Sequence, residues 1–207
     1  LSRLVGSEMC IRDRYMTHQI KVLTVEGSKM EVFVFEPEGK GPFPGLLQCM
    51  HIPVGHTGIE NDEFTLKTSK RYQDNGYVVV VPFIFHWWPK SAEIEIKRDE
   101  FRDDWTNLDL DASFNLISGM ENVDSERIGD FGHCWGGRVS WVGAGTYSKY
   151  KACAVFYAGR IKKTMGENNP PAIDLAPNIK CPVIGFFGKE DQNPSPEDVN
   201  DYSMALT

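Results

Sequence analysis

The sequence has no apolar run long enough to cross a bilayer, so no transmembrane helix is expected. It has no basic surplus either. Its 22 Lys and Arg stand against 29 Asp and Glu, a net charge of -7 spread along the chain. That argues against nucleic acid and against an anionic membrane surface as partners. Cysteine is scarce: five residues, at 10, 49, 134, 153 and 181, odd in number and without a Cys-x-x-Cys pair. A reducing cytoplasm suits that pattern better than a disulfide framework. No Cys and His spacing matches a zinc site, the nearest approach being Cys49, His51, His56 and His86, so no metal and no other cofactor is expected. Internal repeats, low-complexity tracts and linkers are missing too. What remains is ordinary globular composition, 41% hydrophobic and 25% charged, in 207 residues. That is enough chain for one domain with a real core.

One stretch stands out, Ile128-Gly129-Asp130-Phe131-Gly132-His133-Cys134-Trp135-Gly136-Gly137. It reads as a strand, a very sharp turn and the start of a helix. Gly-x-Cys-x-Gly-Gly is the cysteine form of a nucleophile elbow. A strand that reverses straight into a helix leaves its central residue at positive φ with the side chain at the tip. Gly132 and Gly136 remove the Cβ atoms that would collide there, and Gly137 lets the helix approach the sheet. Cys134 then sits at a helix N-terminus, where the dipole and free N–H groups favour a thiolate.

Around this stretch the chain alternates strands and helices. Residues 18–25 and 30–35 alternate apolar and polar side chains and read as an antiparallel hairpin at the sheet edge. Buried strands are expected at 45–50, 77–81, 123–131, 152–157 and 181–187, the second an unbroken β-branched run typical of a parallel sheet. Helices are expected from 61 to 75, from 105 to 120 and from the sharp turn through 138 to 147, and Ser195-Pro196 reads as a helix start. Residues 93–104 read as a charged segment and 160–176 as a polar, Pro-rich lid or excursion. The result is an α/β fold, a mostly parallel doubly wound sheet with an N-terminal antiparallel hairpin. Sites on such sheets lie beyond the carboxyl ends of the strands, where His51, the aromatic loop 83–89, Cys134 and Asp191 all fall.

These stretches resemble the dienelactone hydrolase family, cysteine-dependent members of the α/β-hydrolase fold. The likeness runs from about Val32 to the last residue. It rests on residues 132–137, on Met50-His51, on Tyr77-Val78-Val79-Val80-Val81-Pro82 and on Phe187-Gly188-Lys189-Glu190-Asp191. It implies hydrolysis of a carboxylic ester or lactone through a thioester on Cys134. The acid of a triad falls on Asp191, in a Gly-x-x-Asp pattern; the alternative is a turn aspartate bonding its own backbone. The oxyanion donors are expected at the backbone N–H of Trp135 and, within a residue or two, of Ile52. His51 stands where prototype members carry a glutamate that contacts the thiol. It either pairs with Cys134 or bonds a backbone carbonyl. His133 is expected to pack rather than react. Where prototypes hold a substrate carboxylate with an arginine, this chain has His86, Trp87 and Trp88. They form an aromatic wall for a flatter, less charged substrate, or simply a cover for the core.

The scarcity with most consequence is histidine. All five, at 18, 51, 56, 86 and 133, precede Cys134, whereas the resemblance implies a triad histidine beyond Asp191. The expectation is a chain incomplete at its C-terminus and weakly active at best. At the other end, residues 1–15 resemble translated sequencing-adapter read-through rather than a signal peptide, so 16–207 is the expected domain, with Met16 its expected start. A small-molecule ester or lactone is the expected partner, with the chain a monomer or homodimer. The competing expectation is a non-catalytic, ligand-binding member of the same fold.

Overall fold

The computed structural model describes residues 18–207. The expected N-terminal extension lies outside the described residues. A two-residue loop, Glu26-Gly27, joins β1 (Gln19–Val25) to β2 (Ser28–Phe35), and both loop residues have positive φ, 45° and 82°. That is the turn chemistry that matches the twist of an antiparallel hairpin. The remaining strands are β3 (Phe43–Cys49), β4 (Val78–Pro82), β5 (Val123–His133), β6 (Cys153–Phe156) and β7 (Val183–Phe186). They form a seven-stranded sheet in the order β1-β2-β4-β3-β5-β6-β7. β2 pairs antiparallel with β1 and β4, and every other pairing is parallel. All five residues of β4 are buried, as a β-branched strand covered on both faces requires.

Among the described residues six α-helices accompany the sheet: α1 (Val54–Thr57), α2 (Glu63–Asp74), α3 (Ile94–Asp99), α4 (Asp103–Ser118), α5 (Trp135–Thr146) and α6 (Pro196–Ala205). Their starts follow local chemistry. Asp62 caps α2 by accepting the Thr65 N–H at 2.7 Å. Ser195 and Asp198 form a reciprocal capping box at α6, with Pro196 in the first turn. Two short helices, α1 and α3, were not legible in the sequence, since one turn or two leaves too little periodicity to detect. The segment 160–176 is no free lid. Trp141 Nε1 donates to Ala172 O at 2.8 Å, and the buried Arg138 on α5 donates to the carbonyls of Arg160 and Lys163 at 3.1 and 3.0 Å. Arg138 is balanced by Asp103 at the start of α4, Nη2 to Oδ2 at 2.8 Å. Among the described residues no helix is long and apolar enough to cross a membrane.

One ionisable side chain runs against the apolar interior. Asp130, on β5, is 3% exposed. Neither of its carboxyl oxygens accepts a hydrogen bond from an N–H or O–H group. The Cys153 thiol and the Tyr150 hydroxyl are its polar neighbours. Burial raises its pKa well above the ordinary carboxylate range, which favours the neutral acid. A folded-state pKa above the unfolded value of about 3.9 makes stability greatest below that pH. Stability then falls as pH rises toward the folded value. Asp130→Asn cannot ionise and is expected to shed this dependence, gaining roughly 1.4 kcal/mol over the native chain for each unit of pKa elevation. Urea unfolding at about pH 4 and about pH 8 checks it: the gap between variant and native protein is expected to widen with pH, and a constant gap would contradict the assignment.

Candidate active site

The site is built on the turn from β5 into α5. Cys134 has φ 55° and ψ -118° and is the N-cap of α5. For a residue with a Cβ this is a strained conformation, held only when its surroundings fix it. They do so through backbone contact. A Cβ on Gly132 would lie 2.1 Å from Gly136 O, and one on Gly136 would lie 2.0 Å from Cys49 O at the end of β3. On Gly137 it would meet the Ala158 Cβ at 2.9 Å and Phe156 O at 3.0 Å. The turn is tied to β6 by the Cys134 N–H, which donates to Phe156 O at 2.9 Å.

The Cys134 side chain is half-buried and lines a cleft of about 490 Å³. Ile52, Pro53 and His56 wall one side, Ile94 and Arg98 of α3 another, and Trp135, Tyr157 and Arg160 a third. Among the described residues, neither the Trp135 N–H nor the Ile52 N–H donates to a backbone acceptor. The first is orphaned as the opening N–H of α5 and the second precedes α1. α1 is fixed from outside by Lys97, whose buried ammonium donates to Gly55 O at 2.7 Å and Lys90 O at 3.1 Å. Burial lowers the Lys97 pKa, with Glu93 opposing.

Asp191 lies in the turn after β7, on the same carboxyl rim as Cys134, since β5, β6 and β7 run parallel. Its Oδ1 accepts the Asn193 N–H at 3.0 Å. Asn193 reaches the cleft wall, and Asp191 does not line it. The two loops are nevertheless in contact, because a Cβ on Gly159 would meet Asn193 Oδ1 at 2.6 Å.

Three expectations about neighbouring residues need correction. His51 is not paired with the Cys134 thiol and does not bond a backbone carbonyl: its Nε2 meets Asp62 Oδ2 at 2.9 Å. The reason is the cap of α2, which brings a carboxylate to the end of β3. Burial pushes the Asp62 pKa up, but hydrogen bonds from Thr65 and His51 outweigh it and hold the carboxyl below its usual range. His86 is not at the cleft. It is buried, with Nε2 on Asp109 Oδ1 and Nδ1 on Ser28 Oγ, both at 2.8 Å. Trp87 and Trp88 are likewise turned away by their indole N–H groups, which donate to Asp109 Oδ2 at 3.0 Å and Glu100 Oε2 at 2.8 Å. His133 packs, stacking on Phe156 with centroids 4.4 Å apart and meeting Phe64 edge-on. Burial first, then the charge of His51, lowers its pKa to about 4, so it stays neutral.

The sheet order, the elbow and the cleft can now be set beside known proteins. The sequence profile of the dienelactone hydrolase family matches residues 30–207. The chain belongs to the dienelactone hydrolase family. A "Putative carboxymethylenebutenolidase" of Methylorubrum extorquens is 29% identical over 166 residues, 75% of this chain and 54% of that protein. One of the same name from Synechocystis is 25% identical over 206 residues, 93% of this chain and 81% of that protein. The chain therefore spans about half of the first relative and about four-fifths of the second. The crystal structure of a "Putative Dienelactone Hydrolase" from Klebsiella pneumoniae superposes with TM-score 0.79 at 22% identity, covering 92% of this chain and 80% of that one. At that identity the likeness is one of fold.

Within this dienelactone hydrolase fold the cleft residues that sequence reasoning missed are His56, Ile94, Arg98, Tyr157, Arg160 and Asn193. None belongs to the motif stretches, and each arrives by tertiary packing. Tyr157 and Arg160 carry one signal, positive φ, that a sequence does not display. The elbow contacts make a direct prediction. Gly136→Ala places a Cβ on backbone that cannot yield and is expected to lose more than about 4 kcal/mol of stability. Gly27→Ala, with φ 82° but open space around it, is expected to lose only about 1 kcal/mol. Urea unfolding of both variants measures the difference, and equal losses would mean that the close approach at the elbow is not the constraint.

Proposed function

We propose that this chain carries the reacting half of a cysteine-dependent hydrolase of a small carboxylic ester or lactone, with Cys134 as nucleophile. The supporting observation is the strained Cys134 at the tip of the β5–α5 turn, in a cleft beside two N–H groups without acceptors. The Cys134 sulfur, at the N-terminus of α5, adds as the thiolate to the substrate carbonyl carbon. The oxygen that becomes negative is received by the Trp135 and Ile52 N–H groups, preorganised donors that need no rearrangement when charge develops. Collapse expels the alcohol oxygen, which takes up a proton, and leaves a thioester on Cys134. Water then adds to the thioester carbonyl through a second oxyanion, releasing the acid and restoring the thiol. Asp191 is the proposed acid that orients a histidine base.

A second reading, a non-catalytic binding protein on the same fold, is favoured by one observation. Asp191 is engaged with its own loop, its Oδ1 accepting the Asn193 N–H. The two readings separate in a single-turnover experiment. With 4-nitrophenyl acetate, the hydrolase reading expects a burst of one nitrophenolate per chain followed by slow turnover, and peptide mapping places the acetyl group on Cys134. Cys134→Ala is expected to lower the burst rate by roughly a thousandfold or more. An unchanged burst in that variant, or the acetyl group on another residue, would dispose of Cys134 as nucleophile.

A further inference from the structure

A second cleft, of about 550 Å³, adjoins the Cys134 cleft and shares Arg98, Arg160 and Asn193 with it. Its own wall adds Asp99, Lys163 and Thr164. Three cationic side chains and one carboxylate therefore border it, in a chain whose net charge is -7. The carboxylate is already taken: Asp99 Oδ1 lies 3.1 Å from Arg98 Nε. Among the described residues no carboxylate pairs with Arg160 or Lys163, although acids are close at hand. The adjacent Lys162 holds both Asp198, at 3.0 Å, and Asp201, at 2.6 Å. Arg102 holds Asp104 at 2.7 Å.

The backbone that carries the two unpaired cations is also held in place. Arg138, four residues along from Cys134 and buried, donates to the Arg160 carbonyl through Nε and to the Lys163 carbonyl through Nη2. The Lys163 N–H donates back to Arg160 O at 3.0 Å, closing the turn. Arg160 has φ 61°, a conformation that costs energy in a residue with a Cβ and that the Arg138 bonds sustain. Its guanidinium stands 5.8 Å from the centroid of the Trp135 indole, the residue after the nucleophile. The helix that presents Cys134 thus also presents the cations.

We propose that this second cleft is an anion-binding compartment. It takes a carboxylate or phosphate on the substrate, remote from the carbonyl that Cys134 attacks. It deepens the hydrolase reading and rests on the Cys134 cleft being the reacting one. The arginines come from α3 and from the turn after β6, not from the aromatic loop after β4. Arg160 and Lys163 are the specificity-determining residues, with Arg98 at the boundary. The compartment favours esters with an anionic tail over neutral esters of the same length, by charge attraction at short range that salt screens.

A matched pair of esters tests this: mono-4-nitrophenyl adipate and 4-nitrophenyl hexanoate, which differ by a terminal carboxylate. The rate of nitrophenolate release in the first turnover is read for each, with the acyl group mapped to Cys134. The adipate ester is expected to acylate about fivefold faster at low salt, the preference falling toward unity in about 0.5 M sodium chloride. The double variant Arg160→Gln, Lys163→Gln is expected to bring the ratio near one while keeping the native circular dichroism spectrum. With the unaltered protein, inorganic phosphate is expected to slow the adipate ester and not the hexanoate ester, so the test stands even where the variant fails to fold. A ratio near one in the unaltered protein overturns the anion compartment and leaves the nucleophile intact. A preference that neither phosphate nor the double variant reduces overturns it as well. Failure of both esters to acylate Cys134 overturns the hydrolase reading and the compartment together.

Discussion

The approach of two backbones without side chains between them governs this structure. At Gly136 the first turn of α5 comes so near the end of β3 that a methyl group would overlap the Cys49 carbonyl. At Gly132 the strand comes equally near to Gly136. These contacts leave the chain one path from β5 into α5, and that path carries Cys134 through a left-handed conformation. The free N–H groups, the half-buried thiol and the cleft all descend from this geometry. Packing of apolar side chains could not impose it, because side chains can repack around a change whereas backbone carbonyls cannot.

The two walls of the cleft are held by a common device. On one side Lys97 donates to the carbonyls of Gly55 and Lys90; on the other Arg138 donates to those of Arg160 and Lys163. In each case a buried cation grips loop backbone that would otherwise lose its hydrogen bonds on leaving water. The two differ in balance. Arg138 has Asp103 as counter-charge, so its desolvation is offset by a bidentate pair. Lys97 bonds only carbonyl dipoles, and its burial lowers its pKa despite the opposing charge of Glu93. A buried charge is weak evidence for stability but good evidence for a fixed local arrangement. Here both charges fix the loops that wall the Cys134 cleft.

The sheet and elbow were legible because their signals are local. Glycines at 132, 136 and 137 state a steric requirement that needs no knowledge of the rest of the chain, and the valine run at 78–81 states burial on both faces. Asp191 could be put on the correct rim by counting strands. What could not be read was any partner chosen over long range. His86 and Trp87 share Asp109, a residue 22 or 23 positions away on α4. Read alone, an aromatic triplet at a strand end looks like a substrate wall. The polar atoms of its first two members are instead largely taken up by that one buried carboxylate, whose own pKa burial raises, while Trp88 turns to Glu100. His51 misled for the same reason, since its partner Asp62 lies at the start of a separate helix and nothing local ties the two. The cleft's cations escaped because they sit on α3 and on the turn after β6, segments that carry no periodic pattern.

Backbone strain gives a way to locate the site that depends neither on motif nor on kinship. Among the described residues five that are not glycine have clearly positive φ: Glu26, Cys134, Tyr157, Arg160 and Asn168. Glu26 is explained by its hairpin turn, and Asn168 belongs to a residue type that tolerates the conformation. The other three have no such excuse, and all three line the one cleft. Two of them follow directly from adjacent parallel strands, Cys134 after β5 and Tyr157 after β6, tied by the Cys134 N–H on Phe156 O. Arg160 follows three residues later, held by Arg138. Unfavourable backbone costs of order 1–3 kcal/mol per residue, and selection for stability alone would remove it. Its concentration on one rim, beside two N–H groups left without acceptors, is what a site for chemistry requires and a packing arrangement does not.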